Sequence, residues 1–114
     1  MKILTTKVTS QELAKSNNIF DGPMTKGVVD VSRCLLAIDA PMHADLEKLL
    51  LDNGSNQDDL WGINLYFEED RKSDDFIEFD SMINIRPRQN NRSRSVEDPE
   101  IKNKIKEIVA EWMA

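Results

Sequence analysis

The sequence predicts an α+β fold: a small antiparallel sheet with helices packed on one face, closed by a C-terminal helix over residues 99–113. Three observations carry this. Leu60 to Phe67 and Phe76 to Arg86 both place large apolar side chains on alternate positions, the period of a strand with one buried face. Val28 to Asp39 is rich in β-branched and aliphatic residues. The stretch after Asp98-Pro99 repeats its apolar residues at helical spacing. A chain of 114 residues suffices for one core and not for two, so residues 1–114 read as a single domain.

Each element has its own justification. Residues 2–5 form a short strand. Thr9-Ser10-Gln11-Glu12 fits a capping box, with Thr9 as cap and Glu12 reaching back, so a short helix runs to Lys15 or Ser16. Asn17 to Pro23 breaks it with Asn, Gly and Pro. In Val28 to Asp39, a tight turn at Ser32-Arg33 joins two short strands. That pairing puts Val29, Val31, Cys34, Leu36 and Ile38 on one face and makes Cys34 an inert core residue. Pro41 ends the strand. His43 to Leu51 reads as a helix with Leu46, Leu49 and Leu50 on one side, stopped at Asn53-Gly54, with a strand as the alternative because the apolar run at its end is brief. The strands Leu60–Phe67 and Phe76–Arg86 form a hairpin through the charged loop Glu68 to Asp75. In the last helix Asp98 caps, Pro99 takes the first turn and Glu100 meets the positive end of the dipole. Ile101, Ile105, Ile108, Val109 and Trp112 then fall on one core-facing arc, with Lys102, Lys104, Glu107 and Glu111 turned to water.

Charge narrows the function. Fifteen basic residues against twenty-one acidic ones leave a net charge of −6. Such a surface repels phosphate backbones over about 10 Å at ordinary ionic strength, which argues against nucleic acid as a partner. The apolar run in MKILTTKVTS is too short for a signal peptide or a membrane span. One cysteine allows no internal disulfide and fits a reducing compartment. Together these point to the cytoplasm and no membrane. No GxSxG, GxGxxG, P-loop or CxxC pattern occurs, and no cofactor is expected.

Three clusters could carry chemistry. In IRPRQNNRSRS, Arg86, Arg88, Arg92 and Arg94 stand within nine residues free of acids, with Asn90, Asn91, Ser93 and Ser95 between and beside them. Guanidinium forks suit carboxylates and phosphates, and the segment leads into a helix N-terminus that also favours anions. The competing reading pairs these arginines with the acids of Glu68 to Asp80. The second cluster is His43, Asp45 and Glu47. His43 is the only imidazole, hence the general acid–base of an enzyme with Asp45 to orient it, or else a residue that caps or orients the turn after Pro41; one histidine is too few for a structural zinc site, and no metal is expected. The third is Asn64 and Asn84, each in mid-strand where Asn is disfavoured. They share a face with Tyr66, Glu78, Asp80 and Arg86 and so point to a specific polar network.

The runs MHADLEKLLLDNGSNQDDLWGINLY, IEFDSMINIRP, NRS and DPEIKNKI resemble a family of small bacterial proteins of unknown function. Its members join a valine-rich VVD hairpin to an HAD segment, a WG strand, an INIRP strand and a closing DPEI helix. The likeness spans residues 26–110. It implies a small cytoplasmic bacterial protein and transfers no activity.

Two functions follow from the residues. One is a binding module for a small anionic ligand or an acidic protein segment, through Arg86, Arg88, Arg92 and Arg94, with Asn91, Ser93, Asn64 and Asn84. The alternative is a small hydrolytic enzyme with His43 as acid–base, Asp45 orienting it and an arginine stabilising negative charge. Oligomeric state and ligand identity stay open. A cleft shared by His43 and the arginine loop would favour the enzyme; placement at opposite ends would favour the binding module.

Overall fold

In the computed structural model, which describes residues 1–16 and 22–114, five strands form one antiparallel sheet. In chain order the elements are β1 (Lys2–Ile3), α1 (Ser10–Ser16), β2 (Met24–Asp30), β3 (Leu35–Ile38), α2 (His43–Asp52), β4 (Leu60–Tyr66), β5 (Ile77–Glu78) and α3 (Pro99–Trp112). The strand order across the sheet is β1-β3-β2-β4-β5. The longest pairing joins β2 to β4, from Met24 opposite Tyr66 to Asp30 opposite Leu60.

Strand alternation divides the apolar residues between two faces. Val29, Leu36, Ile38, Trp61, Ile63 and Leu65 look one way and are covered by Ile105, Ile108 and Val109 of α3. Val28, Ala37 and Leu60 look the other way and are covered by Leu46 and Leu50 of α2. The helices therefore lie on both faces, not on one as the pattern suggested. The reason is visible in β2, where Val28 and Val29 are adjacent and both fully buried, so each face needs its own cover.

The capping box forms as expected. The Glu12 amide donates to Thr9 Oγ1 at 3.1 Å, and the Thr9 amide donates to Glu12 Oε1 at 3.3 Å. α1 ends at Ser16; of the proposed break from Asn17 to Pro23, residues 17–21 lie outside the described residues. β2 begins at Met24, earlier than the apolar run at Val28, because β4 continues to Tyr66 and provides backbone partners as far as Met24. α3 starts as read, with Asp98 Oδ1 accepting from the Glu100 amide at 2.9 Å and Pro99 in the first turn. Lys102 does not simply face water: its ammonium lies 5.2 Å from the centre of the Phe79 ring.

Two expectations fail for local reasons. Cys34 is half-buried and packs against the core from the turn, with a left-handed φ of 56°, so it is not a core strand residue. The turn is held by Asp30, whose Oδ1 accepts from the amides of Ser32 and Arg33, both at 2.9 Å. The Asp30 side chain thereby uses the residues that a two-residue hairpin would have used, and the turn widens to four. Secondly, the long strand over 76–86 contracts to Ile77–Glu78. Ser81 caps a 3-10 turn at Met82–Asn84, its Oγ accepting from the Ile83 amide at 3.3 Å, and the chain leaves the sheet there.

Ile105 is fully buried beneath the sheet. Ile105→Ala is expected to cost about 2–5 kcal/mol in urea unfolding. A loss under half of the lower figure would show that α3 does not seal this face.

Candidate functional site

α2 has ten residues and spans roughly 15 Å, too short to cover its whole face of the sheet. It covers the row at Val28 and Leu60. The next rows toward β5 carry polar side chains: Lys26 opposite Asn64, and Asn64 opposite Glu78. A cleft of about 390 Å³ opens there, between the first turn of α2 and the segment that follows β5. His43, Lys26, Asn64, Glu78, Asp80, Ser81 and Arg94 line it, with Met24, Met42, Met82 and Ile83 as its apolar part.

Asn84 fixes the segment after β5. Gly62 faces Val28 on one side. On the other side no strand remains, and the Asn84 carboxamide takes that place. Its Oδ1 accepts from the Gly62 amide at 2.8 Å, and its Nδ2 donates to the Gly62 carbonyl at 3.0 Å and to the Arg94 carbonyl at 2.9 Å. Close approach requires a glycine here: a Cβ on Gly62 would lie 2.5 Å from Cβ and Oγ of Ser81 and 3.2 Å from Cδ2 of His43.

His43 Nε2 is 2.8 Å from the carbonyl oxygen of Ile63. A carbonyl only accepts, so Nε2 carries the proton and Nδ1 holds the lone pair of the neutral ring. Burial pushes the imidazole below its ordinary pKa, and nearby Lys26 pushes the same way. The bond to Ile63, the Asn64 amide and Asp80 oppose this without overcoming it. Asp45 does not orient the ring: it is exposed and makes no hydrogen bond to His43, and the Ile63 carbonyl does that work. Among the described residues no group of three or more His, Cys, Asp or Glu side chains could hold a metal ion.

Asn64, only 5% exposed, donates to Glu78 Oε1 at 2.8 Å, and the Tyr66 hydroxyl donates to the same oxygen at 3.0 Å. The polar network read from the mid-strand asparagines thus exists around Asn64. The Asn64 Oδ1, however, is buried with no hydrogen-bond partner. A buried acceptor left unpaired costs free energy, so its position in the cleft is significant.

The four arginines diverge. Arg86 is buried, with its guanidinium donating to the carbonyls of Gln57 and Leu60 and lying 4.0 Å over the Trp61 ring. Burial pulls its pKa below the ordinary arginine value, while the carboxylates of Glu47, Asp58 and Asp59 support its charge. Arg88 pairs with Asp58 at the surface. Arg92 is exposed. Arg94 Nε lies 2.7 Å from Asp80 Oδ1 and alone of the four lines the cleft. Asn91 is internal: its Nδ2 donates to the carbonyls of Asn84, Ser93 and Ser95, and its Oδ1 accepts from the Glu97 amide. Ser93 binds a carboxylate of this same chain. Glu97 Oε2 accepts from the amides of Arg92 and Ser93 at 2.6 and 3.0 Å and from Ser93 Oγ at 3.2 Å, and these bonds hold Glu97 below the usual carboxylate range. Of the residues expected to hold a ligand, then, Asn64 and Arg94 line the cleft; Arg86, Asn84 and Asn91 build the frame around it.

His43 and one arginine of the loop do share a cleft. Sequence reasoning passed over Lys26 and Ser81 as site residues. The signal for Ser81 was its small side chain amid large apolar ones; Lys26 preceded the run read as strand.

The fold and the cleft together define a small α+β protein with an antiparallel sheet covered on both faces and a polar cleft beside one covering helix. The chain belongs to the family described as "Protein of unknown function (DUF5674)", whose model matches residues 2–112. No curated protein and no solved structure matches it.

Asn84→Ala would strip the Gly62 amide and carbonyl of their partners. Each buried group left unpaired costs about 1–3 kcal/mol, so the substitution is expected to destabilise by at least about 2 kcal/mol in urea melts. A neutral effect would mean that water replaces the carboxamide.

A second outcome concerns pH. The His43 pKa is lower folded than unfolded, so the unfolded chain binds the extra proton first. Stability is full above the unfolded value of about 6.5 and falls as pH drops from there through the folded pKa. Glu97 acts in a lower window: its contribution is present above the ordinary carboxylate pKa and disappears as pH falls through its folded value. His43→Gln should flatten the upper window and leave the lower one. Identical pH profiles for the two proteins between pH 7.5 and 5 would exclude the imidazole as the source.

Proposed function

We propose that the His43 cleft binds a small ligand bearing both an anionic group and a hydrogen-bond donor, of the amino-acid or hydroxy-acid class. The observation that carries this is the unpartnered Asn64 Oδ1, buried in a cleft that also presents Arg94 and Lys26. An acceptor without a partner asks for an N–H or O–H, and the guanidinium of Arg94, held at its Nε by Asp80, offers its remaining N–H groups to a carboxylate. Met42, Met82 and Ile83 offer a deformable surface to an apolar substituent. The anion is thus taken at Arg94, the cleft-facing member of the arginine loop. A single free cysteine agrees with a cytoplasmic setting for such a binding module.

A second reading, the small hydrolytic enzyme, is favoured by the cleft that His43 and Arg94 share, where His43 is biased toward its neutral form as a general base would be. The two readings separate on turnover. His43→Gln would abolish hydrolysis of an ester panel while preserving binding if the enzyme reading holds.

The test of the binding reading is a thermal-shift and calorimetric screen of free amino acids, hydroxy acids and plain carboxylates. A ligand at ten times its Kd should stabilise the chain by about 1.4 kcal/mol. Arg94→Ala should weaken every anionic binder. Asn64→Leu should weaken only those with a donor group. A screen without binders, or variants that bind as the wild type does, would overturn the assignment.

A further inference from the structure

A second cavity lies across the sheet from the His43 cleft, between the 71–77 segment and the last two turns of α3. Its volume is about 310 Å³. Phe76, Ile77, Val109 and Met113 give it an apolar floor, and Ala110 stands at its side. Its rim carries Arg71, Lys72 and Lys106 against a single acid, Asp74. All three cations are exposed, and among the described residues none of their side chains makes an ion pair. Acids of the same loop, Glu68, Glu69, Asp70 and Asp75, line the adjoining surface, so the three cations are a small group gathered at the apolar opening itself.

We propose that this cavity binds a small amphipathic carboxylate, its hydrocarbon part on Phe76, Val109 and Met113 and its carboxylate among Arg71, Lys72 and Lys106. Apolar walls with a few convergent polar groups are the usual composition of a small-molecule site. Size limits the tail. At roughly 30 Å³ for each water-sized volume, the cavity holds about ten non-hydrogen atoms, which is the size of a medium-chain acid. The 71–77 segment forms one wall and α3 the other, with the rim cations at the mouth. The site is independent of the His43 cleft, because no residue lines both.

The experiment is calorimetric titration of the full chain with octanoate, alongside octan-1-ol, which keeps the tail without the charge, and acetate, which keeps the charge without the tail. Octanoate is expected to bind one to one, and both controls about tenfold more weakly or worse. Its affinity should fall as salt rises, because the rim is exposed. Lys106→Glu should weaken octanoate about tenfold and leave octan-1-ol unaffected. Ala110→Trp, at an exposed position where the fold tolerates bulk, should block octanoate by filling the mouth. Arg94→Ala should change nothing here, so failure at the other cleft stays distinguishable. Absence of octanoate binding would overturn the proposal, as would equal binding of octanoate and octan-1-ol or an unchanged affinity in Lys106→Glu.

Discussion

The carboxamide of Asn84 stands in for a strand. Gly62 lies in the middle of β4 with Val28 across from it on one side, and on the other its two backbone groups meet one side chain and no neighbouring chain. Much depends on that substitution. It lets the chain leave the sheet after Glu78 without leaving buried backbone groups unpaired. The third bond of Asn84, to the Arg94 carbonyl, draws the arginine loop back over the same edge. Ser81, whose amide also donates to the Arg94 carbonyl at 3.0 Å, is pressed against Gly62 by this arrangement. The cleft is what remains between this returning segment and the first turn of α2.

Much of the fold could be read from periodicity, because periodicity reports burial. α3 and β4 followed their patterns closely, and so did the capping box at Thr9. The alternation from Phe76 to Arg86 misled because the chain leaves the sheet after Glu78 and the period no longer sorts inside from outside. Ile77, Phe79 and Ile83 are only half-buried and Ile85 is exposed, while Phe76, Asn84 and Arg86 of the other set are buried. The period reported hydrophobicity, and here the buried polar side chains serve the backbone instead. The two-sided covering of the sheet was readable in the adjacent valines of β2, since a strand buried on one face does not place Val28 beside Val29. The site was less accessible. His43, Asn64 and Arg94 are far apart in sequence, and they meet only because α2 starts beside the polar end of the sheet and Asn84 and Ser81 hold the loop at Arg94 over the same edge.

The arginine loop shows why composition alone overstates a site. Four guanidinium groups without nearby acids in sequence suggest a surface waiting for an anion. In space, much of that demand is met by the chain itself. Arg86 is spent on two carbonyls and the Trp61 face, Arg88 on Asp58, and the amides of Arg92 and Ser93 on the Glu97 carboxylate. Asp98 occupies the start of α3 in the same way. Asp30, which pairs with Leu60 in the sheet, repeats the device. It is fully buried, and it accepts from two turn amides and, at 2.6 Å, from the hydroxyl of Ser55. An acidic protein of this size uses its carboxylates as internal fasteners for backbone amides, and its surface charge is only what is left over.

The clasp between the segment at Val8 and the end of α3 has a consequence for biogenesis. Val8 donates its amide to the Trp112 carbonyl and accepts from the amide of Ala114, while Met113 bridges to it in parallel. The same helix roofs Trp61, Ile63 and Leu65. A ribosome delivers β2, β3 and β4 well before it delivers α3, at about 5–20 residues per second. For those seconds one face of the sheet has no roof and the nascent chain cannot lock its first turns in place. Closure waits until α3 has emerged, which makes the interval between Tyr66 and Met113 the one in which a chaperone has most to hold.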